Sequence, residues 1–362
     1  MIGPIDNMRY IDFSDGSKRA SRSPDTHTDE ACPPAAQTLI AVAPMMERTD
    51  RHFRYFLRLL APDIRLYTEM LTADAVLRGD QDKLLAFHPR EHPLALQLGG
   101  NEPATLARAA SIAADRGFDE INLNIGCPSD RVQSGRFGAC LMMEPERVGA
   151  CVAAIRAAVD LPVSVKTRIG VDEHDDFDFL KSFVETVADA GCGMFIIHAR
   201  KAILGGLSPK QNLNIPPLRY PLVYRLKDRF PNLRIVINGG IRDGKAVTGH
   251  LDKVDGVMIG REAYRNPYWL TQLQVEYLNP AVGRDWAAPE RHAIVEEMAC
   301  YAASEQQRGT RLQHITRHLL GLYHERPGAR TWRRYLTEQA SMPGSEPNLL
   351  RDSLQFVSGQ AV

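Results

Sequence analysis

Short apolar runs recur along the chain from residue 38 onward, each followed by a stretch with helical spacing. Eight such runs occur, at residues 38–44, 65–69, 93–98, 120–125, 162–167, 194–198, 234–238 and 256–260. Between them, stretches such as 102–116 and 144–159 repeat Ala and Leu at intervals of three and four, which is typical of amphipathic helices. The pattern predicts parallel strands that are buried on both faces and alternate with helices.

Eight strands alternating with helices favour an α/β fold of the (β/α)8 TIM-barrel type. The alternative is a doubly wound open sheet, which usually has fewer strands and a glycine-rich turn after the first one. Here the first run ends in Ala43-Pro-Met-Met46, which is no dinucleotide-binding turn. We therefore predict the closed barrel.

The pattern changes at both ends of the chain. The first 36 residues are polar and aperiodic, and residues 289–340 contain no strand run but several helical stretches. We predict a flexible N-terminal extension at 1–36, a barrel at 37–280, a small helical domain at 281–345 and a C-terminal tail at 346–362.

Composition narrows the class of protein. The 362 residues carry a formal net charge of zero, and no apolar run reaches the roughly 18–20 residues that span a bilayer. The six cysteines form no CxxC pair, which is typical of reduced thiols in a cytoplasmic protein. No His or Cys residues have metal-ligand spacing, so we expect no metal. Because no apolar run is long enough to span a bilayer, we also expect no membrane partner.

In a barrel of this type the active site lies at the carboxyl ends of the strands. Nearly every predicted strand ends in a polar or glycine residue. The residues at these ends are Pro44, Met45, Met46, Glu69, Gln97, Asn124, Cys127, Lys166, Arg168, His198, Arg200, Asn238, Gly239, Gly240, Gly260 and Arg261. Glycines after strands seven and eight, followed by Arg261, predict a phosphate site there.

Three of these side chains carry more than one interpretation. Lys166 points into the mouth and would form a Schiff base, as in an aldolase, or stabilise negative charge on a bound ring. Cys127 either packs as a small apolar group or acts as an acid at the strand end. His198 either is satisfied structurally or binds phosphate or ribose.

Arginine is concentrated in the predicted helical domain. Residues 308–334 contain Arg308, Arg311, Arg317, Arg326, Arg330, Arg333 and Arg334, with Glu325 as the one acid in that window. This pattern indicates a surface for a phosphate backbone, although a solvated arginine-rich helix would look similar. Lys210, in the segment after strand six, would extend this surface.

The chain resembles the tRNA-dihydrouridine synthases, most closely their bacterial A-type branch. The resemblance covers residues 38 to 340. It rests on Val42-Ala-Pro-Met-Met46, Asn122-Leu-Asn-Ile-Gly-Cys-Pro-Ser-Asp130, Val165-Lys-Thr-Arg-Ile-Gly170, His198-Ala-Arg-Lys-Ala202, Gly206-Leu-Ser-Pro-Lys210, Ile237-Asn-Gly-Gly-Ile241 and Pro327-Gly-Ala-Arg-Thr-Trp-Arg-Arg334.

This resemblance implies an enzyme that reduces the C5=C6 bond of uridine to 5,6-dihydrouridine in the tRNA D-loop, at positions 20 and 20a. We also expect the protein to be a monomer. NADPH would reduce FMN, hydride would pass from FMN N5 to C6, and Cys127 would donate the proton to C5. Expected flavin-binding residues are Pro44, Met45, Met46, Gln97, Lys166, His198, Asn238, Gly239, Gly240, Gly260 and Arg261. Expected tRNA-binding residues are Asn124, Arg200, Lys210, Gln211, Arg330 and Arg333.

The sequence departs from the family pattern at three places. Glu47-Arg48 replaces a common Asp-Trp, and Phe53 replaces a common cysteine. Leu213 stands where an arginine is usual for this branch, so another D-loop uridine remains the alternative target. Two other classes also remain open: a flavin barrel that acts on a free pyrimidine, such as a dihydroorotate dehydrogenase, and a non-catalytic RNA-binding protein.

Overall fold

The computed structural model describes residues 38–357, and its strands form one parallel sheet. The predicted extension at 1–36 lies outside the described residues. The strands are β1 (Leu39–Val42), β2 (Leu66–Tyr67), β3 (Leu71–Thr72), β4 (Leu94–Gly99), β5 (Glu120–Ile125), β6 (Val163–Arg168), β7 (Met194–His198), β8 (Arg234–Asn238) and β9 (Gly256–Ile259).

The sheet closes on itself. Its order is β1-β9-β8-β7-β6-β5-β4-β2, with β3 beside β4. The last gap is bridged because Val42 N–H donates to the Arg65 carbonyl at 3.0 Å and Arg65 N–H donates to the Ile40 carbonyl at 2.9 Å. The predicted (β/α)8 barrel is confirmed, and the short strand β3 is an addition that the sequence pattern did not predict.

Helices surround the barrel and continue beyond it. Those from β1 to the end of the barrel are α1 (Arg51–Leu60), α2 (Ala73–Arg78), α3 (Gln81–Leu84), α4 (Pro103–Arg116), α5 (Asp130–Ser134), α6 (Pro145–Ala158), α7 (Phe177–Asp189), α8 (Tyr220–Arg229), α9 (Gly244–Leu251), α10 (Arg261–Arg265), α11 (Trp269–Leu273) and α12 (Asn279–Val282). The C-terminal helices are α13 (Arg291–Gln307), α14 (Leu312–Thr316), α15 (Ala329–Gln339) and α16 (Asn348–Asp352). No helix within residues 38–357 is long and apolar enough to cross a membrane.

Successive residues of each strand face opposite sides of the sheet, and the apolar ones form two separate hydrophobic clusters. One face of each strand packs with the helices into the main core, for example Ile121 and Leu123 of β5. The opposite faces of the other strands form a smaller cluster inside the barrel, which contains Leu39, Ala41, Ala43, Tyr67, Ala95, Ile196, Val236 and Met258. The inward positions of β5 and β6, together with Gln97 of β4, are instead polar. This side of the interior carries Gln97, Glu120, Asn122, Asn124, Ser164 and Lys166.

The C-terminal helices dock on the beginning of α1 through buried polar contacts. Asp50 caps α1 by accepting from the backbone N–H of His52, and it also contacts Arg317 at 2.6 Å and the His318 ring at 2.9 Å. Burial alone would raise the pKa of Asp50, but the hydrogen bond and charge of His318 hold it well below its usual range. The His52 ring lies 2.8 Å from the Tyr301 hydroxyl of α13. Loss of one partner would leave a buried polar group unpaired, so these contacts make the packing of the C-terminal helices against α1 specific.

The predicted tail at 346–362 differs from what the structure contains. Helix α16 lies within it, Leu350 is fully buried, and Arg351 pairs with Glu296 of α13 at 2.6 Å. The ring of Phe356 packs 5.0 Å from that of Tyr335. Leu350 and Phe356 thus pack with the C-terminal helices, and the bounds of the helical domain stay a prediction.

Candidate active site

Cys127 lies just beyond the end of β5, in a turn that the Asn124 side chain holds. The Asn124 Oδ1 accepts hydrogen bonds from the backbone N–H groups of Gly126 at 3.1 Å and Cys127 at 3.0 Å. The Cys127 side chain is half-buried, with its Sγ 3.4 Å from the Ser129 hydroxyl. The structure therefore places the thiol at the barrel mouth, as the sequence predicts.

A second support for this turn was not predicted. Gly138 has a φ of +75°, and a Cβ there would lie 2.6 Å from the Cys127 carbonyl oxygen. The next residue, Ala139, donates its backbone N–H to that carbonyl at 3.0 Å. Only glycine permits this approach, and no hydrophobic pattern in the sequence signals it.

Four cationic side chains lie around His198 at the barrel mouth. Burial lowers the pKa of His198 well below its usual range, and Arg168, Lys166, Arg200 and Arg261 lower it further. Burial, followed by the charge of Arg168, also lowers the pKa of Lys166 to about 8. His198 is therefore neutral near pH 7, and its Nδ1 has no hydrogen-bond partner among the described residues.

No acid neutralises these cations within the described chain. None of the salt bridges between residues 38 and 357 involves Lys166, Arg168, Arg200 or Arg261. Arg168 instead donates to backbone carbonyls, to Gly126 at 2.8 Å and Lys201 at 2.9 Å, and so joins the turns after β5 and β7. A buried cation such as Arg168, and neighbouring cations that lack a carboxylate partner, favour a bound anion.

The predicted phosphate corner lies at the ends of β8 and β9. Gly239 and Gly240 have φ angles of +115° and +75°, and a Cβ at Gly240 would come within 2.6 Å of Leu218. Asn238 braces the two strands by donating to the Met258 carbonyl at 2.6 Å. A Cβ at Gly260 would meet no atom within 4 Å, so open space faces this glycine.

Two further predicted groups lie at the same mouth. The segment with Pro44, Met45 and Met46 follows β1 and is fixed by Thr49, whose hydroxyl accepts from the Met45 N–H at 2.9 Å. Met46 is 59% exposed. Gln97 is buried and accepts from the Asn124 side-chain amide at 2.9 Å.

The segment after β7 holds the remaining predicted barrel residues. Lys210 and Gln211 are exposed, and the Gln211 Oε1 accepts from the Ser208 backbone N–H at 2.9 Å. Leu213 is half-buried, and its carbonyl accepts from Arg261 at 3.3 Å. The fully buried Asn212, which sequence reasoning missed, folds this segment by bonding the Ile203 N–H at 2.7 Å.

Six of the seven arginines of the predicted basic cluster, all except Arg334, are divided between two grooves where the helical domain meets the barrel. One groove, of about 860 Å³, includes Arg308, Arg311 and Arg317 and reaches Glu69 at the end of β2. The other, of about 680 Å³, includes Arg326, Arg330 and Arg333 and lies against α10. Arg330 and Arg333 are both exposed on α15. The sequence predicted the charge but not its division.

Fold and site together define a (β/α)8-barrel protein with a thiol and unpaired cations at its mouth and a basic helical domain beside it. The dihydrouridine synthase family (Dus) matches residues 41–358. The chain belongs to this family.

Several curated relatives are similar over most of their length. A tRNA-dihydrouridine(20/20a) synthase of Shewanella oneidensis is 53% identical over 322 residues, covering 89% of this chain and 95% of the relative. Proteins of the same name from Escherichia coli K12 and Synechocystis are 53% and 52% identical, covering 88% and 87% of this chain and 91% and 93% of each relative. A solved structure of a morphinone reductase mutant in complex with tetrahydroNAD has a TM-score of 0.46 at 13% identity, covering 71% of this chain and 90% of that one.

Proposed function

We propose that this protein reduces uridine to 5,6-dihydrouridine in the tRNA D-loop, at positions 20 and 20a. NADPH serves as reductant, FMN as cofactor, and the protein acts as a cytoplasmic monomer. The observation that carries the proposal is the Cys127 thiol, held at a cationic barrel mouth in a member of the dihydrouridine synthase family. The names of the relatives support the positions.

The residues at the mouth fit FMN. A cofactor with a phosphate group suits a corner that contains open space at Gly260 and the exposed Arg261, and the unpaired His198 Nδ1 is available to a polar group of the cofactor. Pro44, Met45, Met46, Gln97, Asn238, Gly239 and Gly240 line the same mouth. When bound and reduced by NADPH, FMN supplies the hydride that adds to C6 of uracil.

The protein's own groups would then act on the developing negative charge. Lys166, an ammonium that forms no ion pair with a carboxylate of residues 38–357, stabilises an anion at the mouth. Cys127 donates the proton from its Sγ to C5 of the base, which completes the reduction. Asn124 fixes the Cys127 turn through its Oδ1, and a contact from its amide to the target base remains part of the proposal.

Exposed basic residues near the mouth and on the helical domain would bind the tRNA. A uridine must leave the base stack to reach a barrel mouth, and backbone contacts must hold the rest of the RNA while it does so. Arg200, Lys210 and Gln211 would contact the RNA near the mouth, while Arg330 and Arg333 would contact phosphates on the helical domain.

Purified protein is expected to be yellow and, with FMN and NADPH, to form dihydrouridine in unmodified tRNA, measured by nucleoside mass spectrometry. The matched arm supplies a free pyrimidine as the substrate. Turnover of the free pyrimidine without turnover of tRNA would contradict the proposal and favour a dihydroorotate-dehydrogenase-like activity. RNA binding without any reduction would favour the non-catalytic alternative.

Replacing Arg330 and Arg333 together by alanine is expected to weaken tRNA binding at all sequences and to flatten its salt dependence. Each lost phosphate contact lowers the slope of log affinity against log salt by about one. The measurement is filter binding or anisotropy between low and moderate salt. Arg108→Ala, an exposed arginine on α4 at the side of the barrel, is the control. An unchanged slope in the double variant would remove these residues from the interface.

A further inference from the structure

A continuous chain of buried side-chain hydrogen bonds crosses the polar half of the barrel interior. It begins at the Cys127 turn, where Asn124 Oδ1 accepts two backbone N–H groups. Asn124 Nδ2 then donates to Gln97 Oε1 at 2.9 Å, and Gln97 Nε2 donates to Asn122 Oδ1 at 2.7 Å. Each amide therefore uses its oxygen on one side and its nitrogen on the other.

The chain continues to the opposite end of β5. Asn122 Nδ2 donates to the Ser164 hydroxyl at 2.7 Å, and that hydroxyl donates to the Glu120 carboxylate. Glu120 is 1% exposed and is paired with Arg65 at 3.1 Å. The Tyr67 hydroxyl also donates to Glu120, at 3.3 Å, but Tyr67 does not link Glu120 to the Cys127 turn.

At both ends of this series of hydrogen bonds, it is fixed which group donates and which group accepts. Glu120, which is paired with Arg65, accepts from both Ser164 and Tyr67, and a backbone N–H can only donate. Because Ser164 must give its proton to Glu120, it can only accept from Asn122, and the same logic orients Gln97 and Asn124 in turn. Reversal of any amide would set donor against donor or acceptor against acceptor.

We propose that Glu120 and Ser164 are positioning residues for the proposed reaction, acting on the Cys127 turn through the relay of Asn122, Gln97 and Asn124. They hold the Asn124 oxygen toward the Gly126 and Cys127 N–H groups and so fix where the thiol lies. The catalytic consequence rests on the proposed function, whereas the structural consequence does not. Glu120 and Ser164 are not among the residues proposed to contact the cofactor or the base.

The test is Ser164→Ala, which removes one hydroxyl at the far side of the barrel interior. Amide hydrogen exchange at Gly126 and Cys127, resolved by fragmentation mass spectrometry, is expected to accelerate by about tenfold, since one buried hydrogen bond is lost along the relay. The rate of dihydrouridine formation at saturating tRNA should fall by a similar factor, with KM for tRNA unchanged. Ser164→Thr retains the hydroxyl and should restore both.

Tyr67→Phe is the matched control, because it removes a buried hydrogen bond to the same carboxylate without entering the relay. Its exchange at Cys127 should equal that of the wild type. Equal acceleration in both variants, or none in Ser164→Ala, would overturn the proposal. If Ser164→Ala does not fold, Glu120→Gln keeps the side-chain volume, and it must show the same selective change or the proposal fails.

The proposed function and the proposed relay can be contradicted independently of each other. If the exchange result holds but the wild-type protein forms no dihydrouridine, the relay stands and the proposed function does not. If the wild type forms dihydrouridine and Ser164→Ala exchanges normally at Cys127, the function stands and the relay does not.

Discussion

Cys127→Ala is expected to keep FMN bound and to form dihydrouridine about 10²–10⁴ times more slowly, because a positioned general acid contributes a factor of that size. The backbone of the turn is held by Asn124 and Ala139, not by the thiol, so the fold at the mouth should persist. The measurement is single-turnover reduction of unmodified tRNA by protein whose flavin absorbance equals that of the wild type.

Cys140→Ala is the matched control for this variant. Cys140 is also half-buried and lies close in sequence, but its Sγ contacts the Phe137 carbonyl at 3.1 Å. It should reduce tRNA at the wild-type rate. Wild-type turnover in Cys127→Ala would remove the proposed proton donor, and equal losses in both variants would point to disturbed packing.

Lys166→Met is expected to weaken FMN binding by about 10–100-fold, because a hydrogen bond to a charged group contributes roughly 1.5–3 kcal/mol. Methionine has a similar length without the charge. Lys253→Met, which alters an exposed lysine just before β9, is the control. Fluorescence titration of the flavin-free protein measures the affinity. Undiminished affinity in Lys166→Met would place Lys166 outside the cofactor site.

The same titration carries a pH dependence. Burial, followed by Arg168, lowers the pKa of Lys166 to about 8, so the ammonium of the flavin-free protein is lost as pH rises from 7 to 9. A bound anion favours the protonated form, and FMN affinity should therefore fall as pH passes 8. Lys166→Met should lack this fall. An identical pH profile in both proteins would assign the titration to another group.

The barrel was predictable because its strands are buried on both faces, so each reads as an apolar run between amphipathic helices. Strand β3 escaped prediction because two residues carry no period. The sequence does not predict helix α16, because five residues with one buried leucine resemble a loop. In both cases long-range packing, and not local pattern, determines the structure.

The candidate site was predictable to the extent that it follows from topology. Because strand ends meet at one mouth, the strand order alone predicts that Cys127, Lys166 and His198 lie near one another. The supports of that mouth were not predictable. Asn212, Gly138 and Ser164 act through tertiary hydrogen bonds or close approach, and their residue types are ordinary in a sequence. The role of Asn124 in holding the turn also required the structure.

The attachment of the helical domain to α1 has a consequence for substrate choice. Asp50 and His52 anchor Arg317, His318 and Tyr301 at the start of the same helix that follows the Met45 segment of the mouth. The proposed RNA-binding surface and the proposed site of base reduction are thus joined through the same helix, which would keep the distance between them constant. A nucleotide would then be selected by its distance along the folded RNA, and its sequence neighbours would matter little.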